Sequence, residues 1–403
     1  MATNIALLEN NKQTSQIEKS ATVEIVPKPI FQSEILIGGI EIIEKIFAEW
    51  MALCEEGASN HPFLRPEWFT AFVKNFESEI IILTVRHGLK LRAVLPLVKK
   101  KGRLHGIPVR KLQAVFNLNT QYFDLIHGVA DETERKEIVE AIWKEIKKQS
   151  KWDILEIRMG RKDSWLNDLL ILAESENYRT GIWQMDSAPF ITLPQADDKE
   201  MLIEQYFKRL SQPHRKKLNR KRRLLKEFGE VELVVTRGYQ KGLMQTYFDL
   251  ESQGWKGRGG TAVTDDPKVA GLHDDFARAV AAKNALFIYE LKLNDKTIAM
   301  YISIMYDKQT IGWKTSYNED YAFYSPGNLI KWEVLCGCMR NNSPEIDLLS
   351  PATFNKRYWA SGEREQVAFY VFRQGIIGSL LWKWKFSVIS YLRRFKKNPE
   401  KSN

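Results

Sequence analysis

Three strand-like runs follow one another with almost nothing between them: Leu286 to Leu293, Thr297 to Tyr306 and Thr310 to Tyr317. The gaps contain Asn294-Asp295 and Asp307-Lys308, good residues for a tight hairpin turn. β-Branched and aromatic residues fill the runs, so the segment predicts a three-stranded antiparallel meander. An apolar meander needs cover. The next elements supply it: a helix from Pro326 to Arg340, then a strand from Ile346 to Leu349. Upstream, the spacing predicts helices over Glu200 to Leu210, Lys216 to Phe228, Gly242 to Gly254 and Val269 to Lys283, with a strand from Val231 to Val235.

The first half of the chain has a similar character. Apolar residues at helical spacing from Ile40 to Leu53 and a Pro66-initiated run to Phe76 predict two helices. Ile80 to Val85 and Leu91 to Val98 are strands split by His87-Gly88, and Val109 to Val115 is another. After a short segment from Tyr122 to Ile126, Thr133 to Lys148 has an acidic start and a lysine-rich end, which suits the helix dipole. A strand from Ile154 to Ile157 and a helix from Trp165 to Glu174 complete the alternation, which ends near Pro189 to Pro194. A length of 403 residues fits two cores better than one. The expected fold class is α+β with two tandem domains, each a mixed central sheet flanked by helices. The expected organisation is a disordered segment over 1–28, a first domain over 29–190, a second over 191–374, and a basic amphipathic tail over 375–403.

The formal net charge of +10 favours an anionic partner without choosing among nucleic acid, acidic membrane and phosphorylated small molecules. The three cysteines, Cys54, Cys336 and Cys338, lack the spacing of a disulfide framework or a zinc set, so buried thiols in a reducing cytosol and no metal are expected. The first residues lack the pattern of a signal peptide, and no run of about 18 apolar residues appears. A cytoplasmic protein is expected, with contact at the inner membrane left to the tail.

Several constellations could carry chemistry. Ser325-Pro326-Gly327-Asn328 opens a helix after a strand: serine suits the cap, proline the first helical position, and glycine a close backbone approach. Unpaired N–H groups at such a start cradle phosphate; the alternative is an ordinary cap. The run from Lys208 to Lys226 includes Arg220 and Arg223 and reads either as a solvated helix face or as a dock for an anion. Trp255-Lys256-Gly257-Arg258-Gly259-Gly260 sets an aromatic and two cations on a glycine loop, either a substrate clamp or a surface turn. Asp347 ends a strand, where a buried carboxylate orients or deprotonates a nucleophile or merely caps a loop. No Gly-x-Ser-x-Gly elbow is present, which disfavours a hydrolase of that type. From Gly375 to Lys397, aromatic and aliphatic residues alternate with lysine and arginine, as in a helix lying at a membrane interface or docked on its own core.

Taken in order, certain residues resemble a known family. His61-Pro62-Phe63, Pro66-Glu67-Trp68, Val94-Leu95-Pro96-Leu97, Tyr122 and Asp124 come first. Ser211 through Arg223, Trp255-Lys256, Ile298-Ala299, Tyr324-Ser325-Pro326-Gly327, Asp347, Lys356, Trp359, Gly362 and Glu363 follow. The set is similar to the CelD/BcsL-type acetyltransferases of the GNAT superfamily, which accompany cellulose and exopolysaccharide synthesis and are related to the FemABX transferases. The resemblance implies two tandem GNAT domains, the first degenerate, and acetyl-CoA or another acyl-CoA as co-substrate. Ser325, Pro326, Gly327, Asn328, Arg220 and Arg223 would hold the donor, Asp347 and Lys356 would be catalytic, and Trp255, Lys256, Tyr324 and Trp359 would meet the acceptor. That acceptor would be an amine or hydroxyl of a sugar, polysaccharide or envelope precursor. An inactive scaffold at the inner membrane and an aminoacyl-tRNA-dependent transferase are the alternatives; other nucleic acid is not expected. One departure stands out: Leu348-Leu349-Ser350-Pro351-Ala352-Thr353 occupies the place of a glycine-rich turn, with Asn355 where the family has tyrosine.

Overall fold

The computed structural model describes residues 31–57, 60–240, 242–306 and 309–392, apart from the side chain of Trp255. The expected disordered segment, the Asp307-Lys308 turn and the end of the basic tail lie outside those residues.

The first half of the chain runs β1 (Phe31–Gly38), α1 (Ile40–Glu56), α2 (Pro66–Phe76), β2 (Ile80–His87), β3 (Lys90–Leu104), β4 (Ile107–Ala114), β5 (Ile126–His127), α3 (Glu132–Lys148), β6 (Ile154–Gly160), α4 (Trp165–Ser175) and β7 (Arg179–Thr192). The second runs α5 (Lys199–Arg209), α6 (Gln212–Phe228), β8 (Val231–Arg237), α7 (Leu243–Gln253), α8 (Trp255–Arg258), α9 (Pro267–Ala282), β9 (Leu286–Leu293), β10 (Lys296–Tyr306), β11 (Gln309–Tyr317), α10 (Pro326–Arg340), β12 (Glu345–Asp347), α11 (Phe354–Arg357), β13 (Gly362–Phe372) and α12 (Ile376–Lys383). One sheet holds them in the order β1-β2-β3-β4-β6-β13-β7-β12-β11-β10-β9-β8, with β5 beside β3.

That order reads the same from both ends. Each half lays down four antiparallel strands, then crosses over a helix to a parallel fifth, β4 to β6 through α3 and β11 to β12 through α10. The sixth strands are exchanged. β7 pairs with β12 of the second half, β13 pairs with β6 of the first, and the two pair with each other at the centre. The sequence-based boundary at residue 190 therefore falls inside β7. Strands β1, β7 and β13 were not expected from the sequence.

The central strands are covered on both faces by the period-2 alternation of side chains. Val367, Phe369 and Val371 of β13 point to Trp165, Leu166 and Leu169 of α4. Ala368, Tyr370 and Phe372 point the other way, to Leu381 of α12 and to Trp382 and Phe386. Gly181 of β7 makes that second contact possible, since a Cβ there would sit 2.3 Å from the Phe386 ring. In the second half, Leu286, Ile288, Met300 and Ile302 face α7 and α9, while Tyr289, Leu291 and Tyr301 face α10. The halves are also joined through α2 and α9, where Trp68 meets Phe276 edge-on at 5.0 Å and Lys74 pairs with Asp275 at 2.7 Å.

Candidate active site

The chain leaves β11 at Tyr317, and the Asn318 side chain caps a 3-10 turn by accepting from the Asp320 amide at 2.9 Å. Ser325 then takes a left-handed conformation, φ 54°, which turns the chain into α10 with Pro326 at its first position. The Ser325 carbonyl accepts from Asn328 and Leu329 at 3.0 and 3.2 Å, and its hydroxyl caps nothing. The Gly327 amide is left without an intrahelical acceptor at the positive end of the helix.

Facing this start is α6, whose inward line is His214, Leu218, Lys221 and Leu225, spaced at helical period. His214, Lys217, Leu218 and Lys221 join Ser325, Asn328, Leu329 and Tyr358 around a shallow recess that opens to solvent. His214 is 5 % exposed and its Nε2 has no protein partner. Burial, then the Lys217 charge, holds its pKa below the usual imidazole value. Lys221 donates to the Phe323 carbonyl and lies 3.9 Å from that ring's centre. A helix start, two ammonium groups and an unsatisfied imidazole nitrogen suit an anionic ligand with acceptor oxygens.

Arg220 and Arg223 do not line the recess. Both are exposed, and Arg223 pairs with Glu227 one turn on. They sit on the α6 face rotated away from the Leu218–Leu225 line, and the α6 cations at the recess are Lys217 and Lys221. Trp359 is buried behind the recess: its Nε1 donates to Asn328 Oδ1 at 3.0 Å, and its ring meets His214 edge-on at 4.3 Å. Tyr324 packs 5.7 Å from the Phe228 ring. The glycine loop is in fact the short helix α8, in which Lys256 is ion-paired to the buried Glu251 and Arg258 reaches Glu319 at 2.6 Å. The Trp255 side chain lies outside the described residues.

The second focus lies where β11 and β12 part. Their parallel ladder covers only Gln309 to Ile311 against Glu345 to Asp347, after which β11 continues paired with β10 and no longer with β12. Asp347 is buried at this fork, and its Oδ1 accepts from the Leu349 amide at 2.7 Å. Burial raises its pKa, against the Leu349 amide and the guanidinium groups of Arg161 and Arg364. Those two stand 3.7 and 3.8 Å from Oδ2, Arg161 from the end of β6 and Arg364 from β13, so both halves contribute. Leu349 has φ 60°, a left-handed position that glycine would take without strain. Lys356 holds this turn, donating to the carbonyls of Leu349 and Ser350 at 3.0 and 3.4 Å. Burial pushes the Lys356 ammonium down to about 8. Lys314 of β11 is likewise pushed down to about 8 by burial and then by Lys256. On the first-half side of the fork, Arg161 lies 4.6 Å over the Tyr122 ring, and Tyr122 donates to Asp124 at 2.9 Å. Burial lifts Asp124 to about 7. His61 packs on Tyr122 with its buried Nε2 unpartnered.

These lysines give a pH signature. Lys314, Lys331 and Lys356 all sit near 8 in the fold, so above that pH the unfolded chain holds more protons and stability rises. The buried thiols of Cys54, Cys336 and Cys338, pushed up to about 12, act oppositely once unfolded thiols ionise near ~9. The melting temperature should climb from about pH 8, flatten near ~9.5 and fall beyond ~10. Lys356→Met should reduce the climb by roughly a third, one of three like contributions. A steady decline from pH 8 in a thermal scan would contradict this balance.

With this geometry in place, the class of the fold is clear. Residues 212–358 match the acetyltransferase (GNAT) domain family. The stretch starts at α6 and ends at Tyr358, so it spans the recess, Asp347 and Lys356. Among solved structures, FemX is 11% identical and aligns over 83% of this chain and 97% of its own, with a TM-score of 0.58. The C-terminal domain (DUF2156) of a putative lysylphosphatidylglycerol synthetase from Agrobacterium fabrum is 9% identical over 88% of this chain and 95% of its own, with a TM-score of 0.49. A tandem GNAT protein from the clavulanic acid biosynthesis pathway is 9% identical over 86% and 99%, with a TM-score of 0.43. No curated protein matches the chain in sequence. The chain carries a GNAT acyltransferase fold, built as a large mixed sheet flanked by helices. Among the described residues, no cluster of side chains is suited to hold a metal ion, and no helix is long and apolar enough to cross a membrane.

Proposed function

We propose that the protein transfers an acetyl or other acyl group from acyl-CoA to an amine or hydroxyl of a sugar, polysaccharide or envelope precursor. One observation carries the reading: the recess at the start of α10 joins helix-terminal amides, Lys217, Lys221 and an open His214 nitrogen inside the GNAT-matched segment. The donor pyrophosphate would lie at Ser325 to Asn328, and the thioester would reach the fork between β11 and β12. There the acceptor attacks the thioester carbonyl directly. Asp347 takes the acceptor's proton, and burial makes it a stronger base than an exposed carboxylate. The C–S bond breaks as the carbonyl reforms, and coenzyme A leaves as a thiol once protonated. Positioning and polar stabilisation supply most of the rate.

A second reading is an accessory protein without catalysis, favoured by the filled turn in which Leu349 takes the left-handed position and Lys356 spends two of its N–H groups on carbonyls. The two part at donor binding. Calorimetry should find micromolar acetyl-CoA affinity, ~8 kcal/mol, weakening about tenfold in Lys217→Ala/Lys221→Ala through loss of charge-assisted contacts. Arg220→Ala/Arg223→Ala should stay within about twofold, as expected for exposed charges. If the wild type does not bind acetyl-CoA, the acetyl-CoA donor is wrong and the accessory reading or an aminoacyl-tRNA donor takes its place.

A further inference from the structure

The C-terminal helix has two apolar faces, one packed on the sheet and one largely exposed. From α12 the chain continues helically through a π-turn to Leu392. Leu381, Trp382 and Phe386 pack on the sheet. Lys385 is 2 % exposed; its ammonium lies 4.2 and 4.1 Å from the Trp183 and Tyr370 rings and meets His105 Nε2 at 3.3 Å. These contacts fix the helix on the protein and settle which side faces out.

The outward side carries Ile376, Ile377, Leu380, Val388, Tyr391 and Leu392, exposed by 81, 70, 60, 41, 61 and 50 %. Their spacing, with Trp384 between Leu380 and Val388, makes one stripe along the helix. Trp384 is anchored by its indole N–H to the His105 carbonyl at 3.3 Å. A continuous exposed stripe of large apolar groups on a docked helix has no function in the fold itself.

Charge selects the occupant. Between Glu365 and Glu400 the sequence has no acidic residue, but it has Arg373, Lys383, Lys385, Arg393, Arg394, Lys396 and Lys397. Arg373 and Lys383 are exposed beside the stripe, and Arg179 reaches in from β7 with its guanidinium 5.8 Å from the Trp382 ring. In sequence, Arg393, Arg394, Lys396 and Lys397 follow Leu392. An apolar stripe with interfacial tryptophan and tyrosine, on a segment rich in cations and without acids of its own, matches the boundary between anionic headgroups and acyl chains. We propose that this face docks the protein peripherally on an anionic lipid bilayer.

The test is co-sedimentation of the full chain with vesicles of phosphatidylcholine alone or with one quarter phosphatidylglycerol. The protein should partition at least tenfold more strongly into the anionic vesicles, and 0.5 M salt should weaken that binding severalfold. Ile376→Ser/Ile377→Ser/Leu380→Ser should lower partitioning at least tenfold at an unchanged melting temperature, because these side chains are exposed. Leu89→Ser/Leu118→Ser, also exposed but far from the stripe in sequence, should change nothing. Equal sedimentation with and without phosphatidylglycerol, or a triple variant that binds as the wild type does, overturns the proposal. So does a stripe variant whose only change is loss of a dimer in sedimentation velocity, which would assign the face to a second copy. Acetyl-CoA affinity should be unaltered in the stripe variant, so this surface and the donor site succeed or fail separately.

Discussion

Gly327→Asp should abolish acetyl-CoA binding and leave the protein as stable as before. Gly327 is the second residue of α10, and a Cβ there would lie 3.3 Å from Tyr317 Cδ1, a side chain able to yield by a few tenths of an ångström. Its backbone is not left-handed, so a side chain brings no conformational strain. An acidic residue in the first turn interacts favourably with the dipole, worth about 0.3–1 kcal/mol, which offsets the crowding. Folding is therefore preserved. Binding is not, because the new carboxylate stands at the helix start and competes for the amides and lysines that a pyrophosphate needs. Two like charges about 4 Å apart repel by roughly 4 kcal/mol near a protein surface, so a loss of at least ~100-fold in affinity, ~2.7 kcal/mol, is a conservative expectation. Gly327→Ala separates charge from bulk and should lose less than about tenfold. An aspartate variant that binds acetyl-CoA as the wild type does would place the donor phosphates away from α10.

How far the sequence led to this site depended on distance along the chain. The meander from Leu286 to Tyr317 was legible because strands and turns are neighbours, and the α10 start was legible because Ser325 and Pro326 signal a cap locally. The exchanged strands were not. β13 opens with Gly362-Glu363-Arg364-Glu365-Gln366, which looks like a surface loop, and it becomes a central strand only because β6 and β7 lie on either side. β7 alternates over only a short stretch, Trp183-Gln184-Met185-Asp186, and contains Pro189, a residue that discourages a strand assignment. Arg364 reaches Asp347 from β13 and Arg161 from the end of β6, so nothing near Asp347 in sequence announces them. His214, Lys217 and Lys221 could have been found. Laying Leu218 and Leu225 on a helical wheel puts His214 and Lys221 in line with them, and turns Arg220 and Arg223 outward. Lys314, next to the buried Trp313 in β11, was a weaker signal of a polar requirement at the fork.

Asp347→Asn should lower turnover by about 10²–10⁴-fold, the usual contribution of a positioned general base, while acetyl-CoA affinity changes by less than about threefold. The substitution is chosen to preserve the turn. Asn keeps an oxygen for the Leu349 amide, which Asp347 Oδ1 now accepts at 2.7 Å, so Leu349 and the carbonyls gripped by Lys356 stay in place. What it removes is the basic oxygen beside Arg161 and Arg364. Transfer from acetyl-CoA to glucosamine, or to water in its absence, can be followed through release of the free thiol. In the wild type, kcat/KM should rise with pH along an acid limb whose midpoint lies above the ordinary aspartate value, because burial raises the Asp347 pKa. The Asn variant should lack that limb. Asp124, lifted to about 7 by its own burial, is the competing carboxylate on the other side of Arg161. If Asp347→Asn keeps the acid limb and more than about a tenth of the rate, and Asp124→Asn loses both, the base lies in the first half and catalysis is shared between the two halves.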